Sequence, residues 1–564
     1  MESPTLIVAE FPLADAAPAD GAAPNDGSAH GAARDAAGSA DAAPEDRAAP
    51  AEVEDRSSLQ SLGGALAIFL MLGLDRVSVW SFSDAESAAL DLAPRPLGEI
   101  YASTDPDRSP AFLLLLRLLC GWLKPAELPL RAAFVLIALG AAAWIWEIAR
   151  KTLPRDWALA VAFLVALSPA LLAAGRTLGP WGPGLFCAAA AIACLVHALR
   201  GGRTLAAPGE GADPIRRRRL ARRAALWWAG CAAASAAAAV LHPAAGVLVA
   251  VGFVAAAPYL RDRRAWLGLA GSLALAAAAL VHFGTWAGPA YAALFSGPPA
   301  HGGRLGLFCG DFVAPLRWWL LVPAALAYAA AVPWGLWQLL AAGSRGERVA
   351  LGFALAALLA LAASPLLGGP ANALLLPAWA LAAGTGLMFL PGGVRAALLA
   401  LLLASHLASA TCGAGGRDLA DMSVREPHRE IAARVAASLQ PSDALLVAGD
   451  LGPFWRYFKE KPVLYRLELG PAGATVPGRK DPSTDAFVAA MRWERRRIWL
   501  LFRYPIDLPA RGDFHRRIRV FGDWLAQNAS VVDRWTFSCP IPDPEIPAAT
   551  VERIHVWLVD PGPR

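Results

Sequence analysis

Between residues 57 and 411 the chain passes through one apolar stretch after another, rich in Ala, Leu, Val and Trp and broken only by short polar turns. Such a pattern leaves few structural choices. A helix of about 20 mostly apolar residues spans the hydrocarbon core of a bilayer, and within that core each backbone N–H and C=O must be satisfied inside the segment. Candidate spans run over residues 59–74, 110–123, 130–149, 157–174, 180–199, 224–241, 243–260, 265–283, 317–340, 349–367, 371–391 and 395–411. The second is short and contains Arg117. Charged residues make up 17% of the chain, where a soluble protein carries about 25%. A single large soluble core does not fit. The expected fold is a polytopic α-helical membrane protein of about 11–13 transmembrane helices, followed by a C-terminal α/β domain outside the bilayer.

The net charge of +5 conceals a split. Residues 1–56 are acidic, and the basic residues gather between apolar segments, a pattern that sets membrane orientation rather than nucleic-acid binding. The loop 200–223 carries Arg200, Arg203, Arg216, Arg217, Arg218, Arg219, Arg222 and Arg223 and is expected on the cytoplasmic side. Counting onward, Arg261, Arg263, Arg264, Arg345, Arg348 and Arg395 fall on the same side, while residues 284–316 and everything from 412 fall outside. The N terminus is expected in the cytoplasm, and the membrane is expected to be a bacterial inner or plasma membrane. The first half of the chain leaves two alternatives. Loop 75–109 belongs outside, and Arg150, Lys151 and Arg155 belong inside. An odd number of crossings must separate them. Either 110–149 crosses once, or the turn at Arg150 departs from the charge rule.

Residues 1–56 are rich in Ala, Pro, Asp and Gly with almost no aromatics. They cannot bury enough apolar area to offset the entropy of ordering, so a disordered tail is expected. Residues 57–411 form the transmembrane domain, with external loops 75–109 and 284–316. Residues 412–564 read as a soluble α/β domain. There, helix-like stretches at 426–439 and 485–497 alternate with apolar runs at 443–449, 498–504 and 553–559, too short to span and suited to buried strands. Cys120, Cys187, Cys194 and Cys231 lie in apolar runs and read as small buried hydrophobes. Cys412 and Cys539, both in the exported part, leave a disulfide open.

Loop 75–109 holds Asp84, Glu86, Asp91, Glu99, Asp105 and Asp107 beside Trp80 and Phe82. Carboxylates held at a membrane interface are partly desolvated, which raises their pKa and suits them to general-base work. The plainer explanation is that a wet loop carries acids. Further landmarks follow in order: Ser168, Pro169, Arg176, Pro180 and Trp181 in one segment, His242 at the end of an Ala-rich span, and the stretch 369–387 with its Pro and Ala-Leu run.

This ordered set resembles the GT-C superfamily of membrane glycosyltransferases, in the branch that includes protein O-mannosyltransferases and lipid A aminoarabinose transferases. The family's first external loop reads as a Trp, an Asp-Glu pair, a small-residue helix with Ser, and then Asp-x-His-Pro-Pro. Here Trp80, Asp84, Glu86 and Ser87 stand in the first part, and Asp107, Arg108, Ser109, Pro110 and Ala111 in the second. The segment 168–183 resembles the family's Ser-Pro stretch ending in Arg-x-x-Arg-Pro-Tyr. The chain also departs from the pattern. Ser109 replaces the His, Gly179 replaces the second Arg, the Arg of the family's Arg-Tyr motif is missing near Pro370, and the Asp-Glu pair is not intact: one alignment puts Ser83 and Asp84 at its two positions, the other Asp84 and Ala85.

The resemblance implies transfer of a sugar from a polyprenyl-phosphate donor to an extracytoplasmic acceptor whose identity is open. In such a reaction a carboxylate takes the acceptor's proton, a cation holds the leaving phosphate, and an apolar groove between spans receives the isoprenoid tail. The resemblance assigns the base to Asp84, with Glu86 second. It assigns substrate contacts to Arg176, Asp107, His242 and Trp181. Arg176 as a phosphate ligand competes evenly with Arg176 as a side chain reaching back to the interface. For His242 a structural hydrogen-bonding role is favoured over a catalytic one. His301, Arg304 and Asp311 in loop 284–316 either cover a site or merely connect two spans. No nucleotide-binding or metal motif stands out, which leaves the cofactor unknown and room for a divalent cation. Two other functions remain in view: a non-catalytic relative acting as scaffold or lipid-binding protein, and, third, a transporter, disfavoured by the lack of internal repeats.

The charge pattern yields a direct test of orientation. A reporter that is active only in the cytoplasm, fused after Arg564, is expected to stay silent; a strong signal reverses the assignment.

Overall fold

The computed structural model describes residues 49–74, 82, 84–103, 105, 108–123, 126–206, 214–257, 260, 263–296, 333–334, 337, 374, 376–388, 390–411, 428–441, 443–448, 454, 457–458, 463–467, 497–502, 530–539 and 552–560. The chain divides into two compact units, residues 1–55 and 56–564. Of the first, only the opening turns of the first helix are described. The expected spans at 317–340 and 349–367 fall almost wholly outside the described residues, as does the helix expected at 485–497.

The helical part comprises α1 (Ala49–Leu74), α2 (Asp84–Leu92), α3 (Leu97–Tyr101), α4 (Pro110–Leu123), α5 (Glu127–Thr152), α6 (Arg155–Ala166), α7 (Pro169–Arg176), α8 (Trp181–Ala206), α9 (Pro214–Leu241), α10 (Pro243–Ala256), α11 (Arg263–His282), α12 (Gly284–Ser296), α13 (Leu376–Met388) and α14 (Gly392–Thr411). The protein is an integral membrane protein of mostly helical build. Among the described residues four helices, α5, α8, α9 and α11, are long and apolar enough to cross a bilayer unaided, and α6 with α7 makes a fifth if the two count as one bent span. The bend is 52° and falls at Ser168-Pro169, where proline supplies no N–H to the helical ladder. Sequence periodicity reads 157–174 as one segment because proline interrupts hydrogen bonding without interrupting hydrophobicity.

The core of the bundle is built largely from Ala, Leu and Val, with Ala138, Ala142, Ala188, Ala191, Ala238 and Ala244 buried among them. Small residues let helices approach closely, which matters where lipid is as apolar as the side chains and dispersion drives packing. Gly246 illustrates the tightness: a Cβ there would fall 2.1 Å from the Tyr291 hydroxyl and 3.0 Å from the Ala239 backbone. By contrast Trp266, Leu267, Leu273, Leu275 and Val281 of α11 are exposed, as befits a face solvated by hydrocarbon chains.

Contacts between helix ends bear on the alternative left open for residues 110–156. Arg131, one turn into α5, meets Glu86 of the first loop. Arg117 of α4 donates to the carbonyl of Arg95 in the same loop. The start of α5 and the body of α4 therefore both lie at the loop's end of the bundle. At 1.5 Å per residue α4 reaches only about 21 Å, short of a full crossing. Within 110–149, α5 is the helix long and apolar enough to span unaided, and α4 is one of the shorter apolar helices. Arg150 and Lys151 then lie at the far end, where Arg150 pairs with Glu147 and Glu147 with His197 of α8, and where Arg200 donates to the Lys151 carbonyl.

Three local differences from the sequence expectation have simple causes. Residues 49–56, expected within the disordered tail, are helical and continue into α1; Ala, Glu and Arg there are strong helix formers. Helix α9 begins at Pro214, ten residues before the apolar run, because arginine also favours helix. Residues 284–296, expected as loop, form α12, which closes on its own small core of Trp286, Ala287 and Ala290.

Beyond the bundle, α15 (His428–Ser438) packs on a five-stranded sheet of β1 (Ala444–Ala448), β2 (Val463–Leu467), β3 (Ile498–Phe502), β4 (Ser530–Cys539) and β5 (Glu552–Asp560), in the order β2-β1-β3-β5-β4. Strand β1 runs parallel to β2 and β3, and β5 is antiparallel to β3 and β4. This is the expected α/β layer. The apolar runs at 443–449, 498–504 and 553–559 are the three inner strands; β2 and β4, at the two edges, are not among the expected strands, β2 being a run of five residues broken by Arg466 and β4 carrying Asp533 and Arg534 at its middle. Ile431, Ala432 and Val435 of α15 meet Leu445, Trp499, Leu501, Val556 and Leu558 in the core.

Asp443 clips this domain together from one buried position. Its carboxylate accepts hydrogen bonds from Arg497 Nε and Nη2 at 3.0 and 2.9 Å, from Trp499 Nε1 at 3.0 Å and from the Gln440 backbone N–H at 2.9 Å. Removing the acceptor strands a buried indole N–H and half of an ion pair. Asp443→Ala is expected to destabilise the domain by about 3 kcal/mol, read as an earlier denaturant midpoint for exposure of Trp499.

Candidate active site

The sequence landmarks are spread over some 160 residues, yet most of those described meet at one end of the bundle. A satellite core gathers Phe82, Ala89 and Leu90 of the first loop, Ile100 of α3, Phe112, Leu113 and Leu116 of α4, Leu130 and Phe134 of α5, Leu178 from the α7–α8 turn and Leu241 from the end of α9. These apolar contacts hold the first loop against four helix ends, and a buried ion pair lies among them.

Glu86, on α2, is buried. Its Oε2 lies 3.0 Å from Arg131 Nη2, and its Oε1 accepts the Leu178 N–H at 2.8 Å. Arg131 is fully buried too, with its guanidinium 5.6 Å from the centre of the Phe82 ring. One carboxylate thus joins the first loop to α5 and to the turn that follows Arg176. Burying two charges is costly, and their mutual attraction, with the Leu178 N–H on the second Glu86 oxygen, offsets part of that cost. Arg131 was not among the sequence candidates. It reads as a basic residue just inside a span, and the signal that could have found it is the expense of a charge at that depth without an acid to meet it.

Asp84 is the first residue of α2, two positions before Glu86; its side chain and the whole of Asp107 lie outside the described residues. Arg176 ends α7 and is buried. Its Nε donates to the Gly73 carbonyl at 3.3 Å and its Nη2 to the Leu72 carbonyl. These are carbonyls left without helical partners at the C-terminus of α1, where a cation is also favoured by the helix dipole. Arg176 therefore stands one turn of chain from Glu86 while pointing at α1.

Trp181 opens α8 and is partly buried. A Cβ on Gly179 would lie 2.1 Å from its Cζ3 atom. The indole occupies the space a side chain at 179 would need, so Gly at 179 and Trp at 181 belong to one packing arrangement. Ser109 is likewise explained. Its hydroxyl accepts the Phe112 N–H at 3.1 Å, capping α4 with Pro110 in the first helical position, and donates to the Leu241 carbonyl at 2.8 Å. Next along the chain, His242 caps α10, its Nδ1 accepting the Ala244 N–H at 3.2 Å. The structural hydrogen-bonding role expected for His242 is the one its geometry displays. His301, Arg304 and Asp311 lie outside the described residues, but the start of α12 does meet the first loop: Trp286 Nε1 donates to the Asp105 carbonyl at 3.0 Å, and Thr285 Oγ1 to the Tyr101 carbonyl at 2.8 Å. Among the described residues no three His, Cys, Asp or Glu side chains are grouped so as to hold a metal ion.

The sequence matches no family model and no curated protein. Two solved structures of ArnT from Cupriavidus metallidurans, one apo and one bound to undecaprenyl phosphate, are similar in fold: each aligns with a TM-score of 0.53 and 16% identity over 90% of this chain and 98% of the other. An apo oligosaccharyltransferase from Archaeoglobus fulgidus aligns more loosely, at a TM-score of 0.47 and 13% identity over 79% of this chain and 69% of the other. The resemblance read from the motifs holds for the fold.

The Glu86–Arg131 pair predicts a strongly non-additive pair of substitutions. Arg131→Met leaves a buried carboxylate facing apolar side chains and is expected to cost about 3–5 kcal/mol. Adding Glu86→Gln, whose carbonyl still accepts the Leu178 N–H, is expected to recover most of that loss. Thermal unfolding of the two single variants and the double variant in detergent measures the coupling.

Proposed function

On the GT-C fold that the chain shares with ArnT, we propose that it transfers a sugar from a polyprenyl-phosphate donor to an extracytoplasmic acceptor. The observation that carries this reading is the convergence of the first loop, the turn after Arg176 and the start of α10 at one end of a bundle whose fold is similar to that of a protein solved with undecaprenyl phosphate. The basic turns at Arg150, Arg200 and Arg218 to Arg223 belong to the opposite ends of these helices. By the positive-inside rule that end is cytoplasmic, which puts the first loop and the C-terminal domain outside the membrane. A bacterial inner membrane suits this arrangement and a polyprenyl carrier.

In this reading Asp84 is the base. It takes the proton of an acceptor hydroxyl as that oxygen attacks the anomeric carbon; the bond from that carbon to the phosphate oxygen breaks, and its electrons stay with the phosphate. Glu86 serves as the strut that orients α2, since both of its carboxylate oxygens accept hydrogen bonds within the fold. Arg176 is the candidate cation for the leaving phosphate, and Trp181 and Asp107 are the candidate substrate contacts. His242 keeps its place as a helix cap.

One observation favours the alternative of a non-catalytic relative that binds lipid. The positions where this chain departs from the family pattern are filled by structural roles: Ser109 caps a helix, and Gly179 yields its space to Trp181.

Full-length protein in nanodiscs, supplied with a panel of polyprenyl-phosphate sugars and the membrane-derived acceptors, separates the two. A transferase is expected to turn over at least one donor, with Asp84→Asn lowering kcat by about 10²–10⁴-fold and leaving the melting temperature unchanged. Stabilisation by undecaprenyl phosphate without any transfer would establish the non-catalytic reading.

A further inference from the structure

Among the described residues, the Tyr457 hydroxyl of the C-terminal domain reaches the first loop. Tyr457 lies in the short segment 454–458, whose Phe454 and Phe458 rings meet edge to face at 4.8 Å inside that domain's core. Its own ring packs partly against the same core. The hydroxyl points out of the domain. It accepts the backbone N–H of Phe82 at 2.8 Å and donates to Glu127 Oε1 at the first residue of α5. The other carboxylate oxygen of Glu127 pairs with Arg429 of α15, and the Arg429 guanidinium stands 5.8 Å from the centre of the Tyr457 ring.

The direction of each hydrogen bond is forced. An ionised Glu127 can only accept, so the tyrosine must give it its one proton; a backbone N–H can only donate, so the tyrosine must receive it on a lone pair. The charge on Glu127 polarises the hydroxyl and strengthens its acceptance from Phe82. Phenylalanine at 457 would keep the ring, its packing and its contact with Arg429, and lose both bonds.

Phe82 is two residues ahead of Asp84 and the start of α2. Its ring lies over Arg131, which in turn holds Glu86. The loop therefore approaches α2 through a residue fixed at its backbone by the C-terminal domain and at its side chain by α5.

We infer that Tyr457 is a positioning residue: by seating its hydroxyl between Glu127 and the Phe82 amide, the C-terminal domain sets the placement of the loop segment that carries Asp84. The structural half of this inference stands on contacts within this chain. The catalytic half rests on the sugar-transfer reading above.

Amide hydrogen exchange on the full-length protein in nanodiscs tests the first half without any substrate. In Tyr457→Phe the Phe82 amide is expected to exchange at least about tenfold faster, with peptides from α8 and α9 unchanged. Glu127→Gln, whose carbonyl still takes the tyrosine proton, is expected to retain slow exchange, whereas Glu127→Leu is not. Unaltered exchange in Tyr457→Phe overturns the inference. The second half is read with a donor that the wild-type protein turns over. There Tyr457→Phe is expected to lower kcat about tenfold while the donor KM stays within about twofold, a split that simple loss of folded protein does not produce. An unchanged kcat with faster exchange overturns the catalytic role alone. A wild-type protein that turns over no donor refutes the sugar-transfer reading, and the exchange experiment still decides the positioning.

Discussion

A carboxylate and a guanidinium buried together bring the first loop to the bundle. Glu86 and Arg131 come from segments 45 residues apart and are both sealed from solvent. Neither charge tolerates that depth alone, so wherever α5 places Arg131, α2 must follow with Glu86. The second oxygen of Glu86 then requires the Leu178 N–H, which draws in the turn between α7 and α8. Around this pair the apolar satellite core closes, and Ser109 and His242 cap the helices that border it. The pair is thus a register device: it selects one arrangement of loop and helices from several that hydrophobicity alone would allow.

The same need to satisfy polar groups shapes the neighbouring contacts. Arg176 turns to the free carbonyls of α1, Asp443 collects four hydrogen bonds within the C-terminal domain, and Tyr457 links that domain to the loop through Glu127. In a chain with so few charged residues, each buried one joins two segments distant in sequence.

Much of the architecture was legible because hydrocarbon imposes a length and a polarity on the segments that cross it. The α5, α8, α9 and α11 spans follow from apolar runs of about 20 residues, and the inner strands β1, β3 and β5 from short apolar runs bounded by polar chain. Edge strands β2 and β4 were not legible, since charged residues (Arg466, Asp533, Arg534) break their apolar runs. The helix at 284–296 was hidden by its glycines and Pro289, residues that usually mark loops; Trp286 and its small apolar core outweigh them. Whether 110–149 crosses once or twice could not be read from hydropathy, because α4 is as apolar as a true span and differs from one in its length and in where its ends are held.

The sequence by itself determined that this chain enters a membrane, where its long helices lie, which turns carry the basic charge, and that an α/β domain follows. Those properties depend on local composition and periodicity, which act within one segment at a time. Only the tertiary structure decided that Arg131 belongs with Glu86, that Arg176 faces α1, that Trp181 fills the space above Gly179, and that Tyr457 reaches the first loop. Each of these joins residues through a hydrogen bond or contact of a few ångströms. At that range the outcome turns on how whole helices pack, and no single segment contains the information.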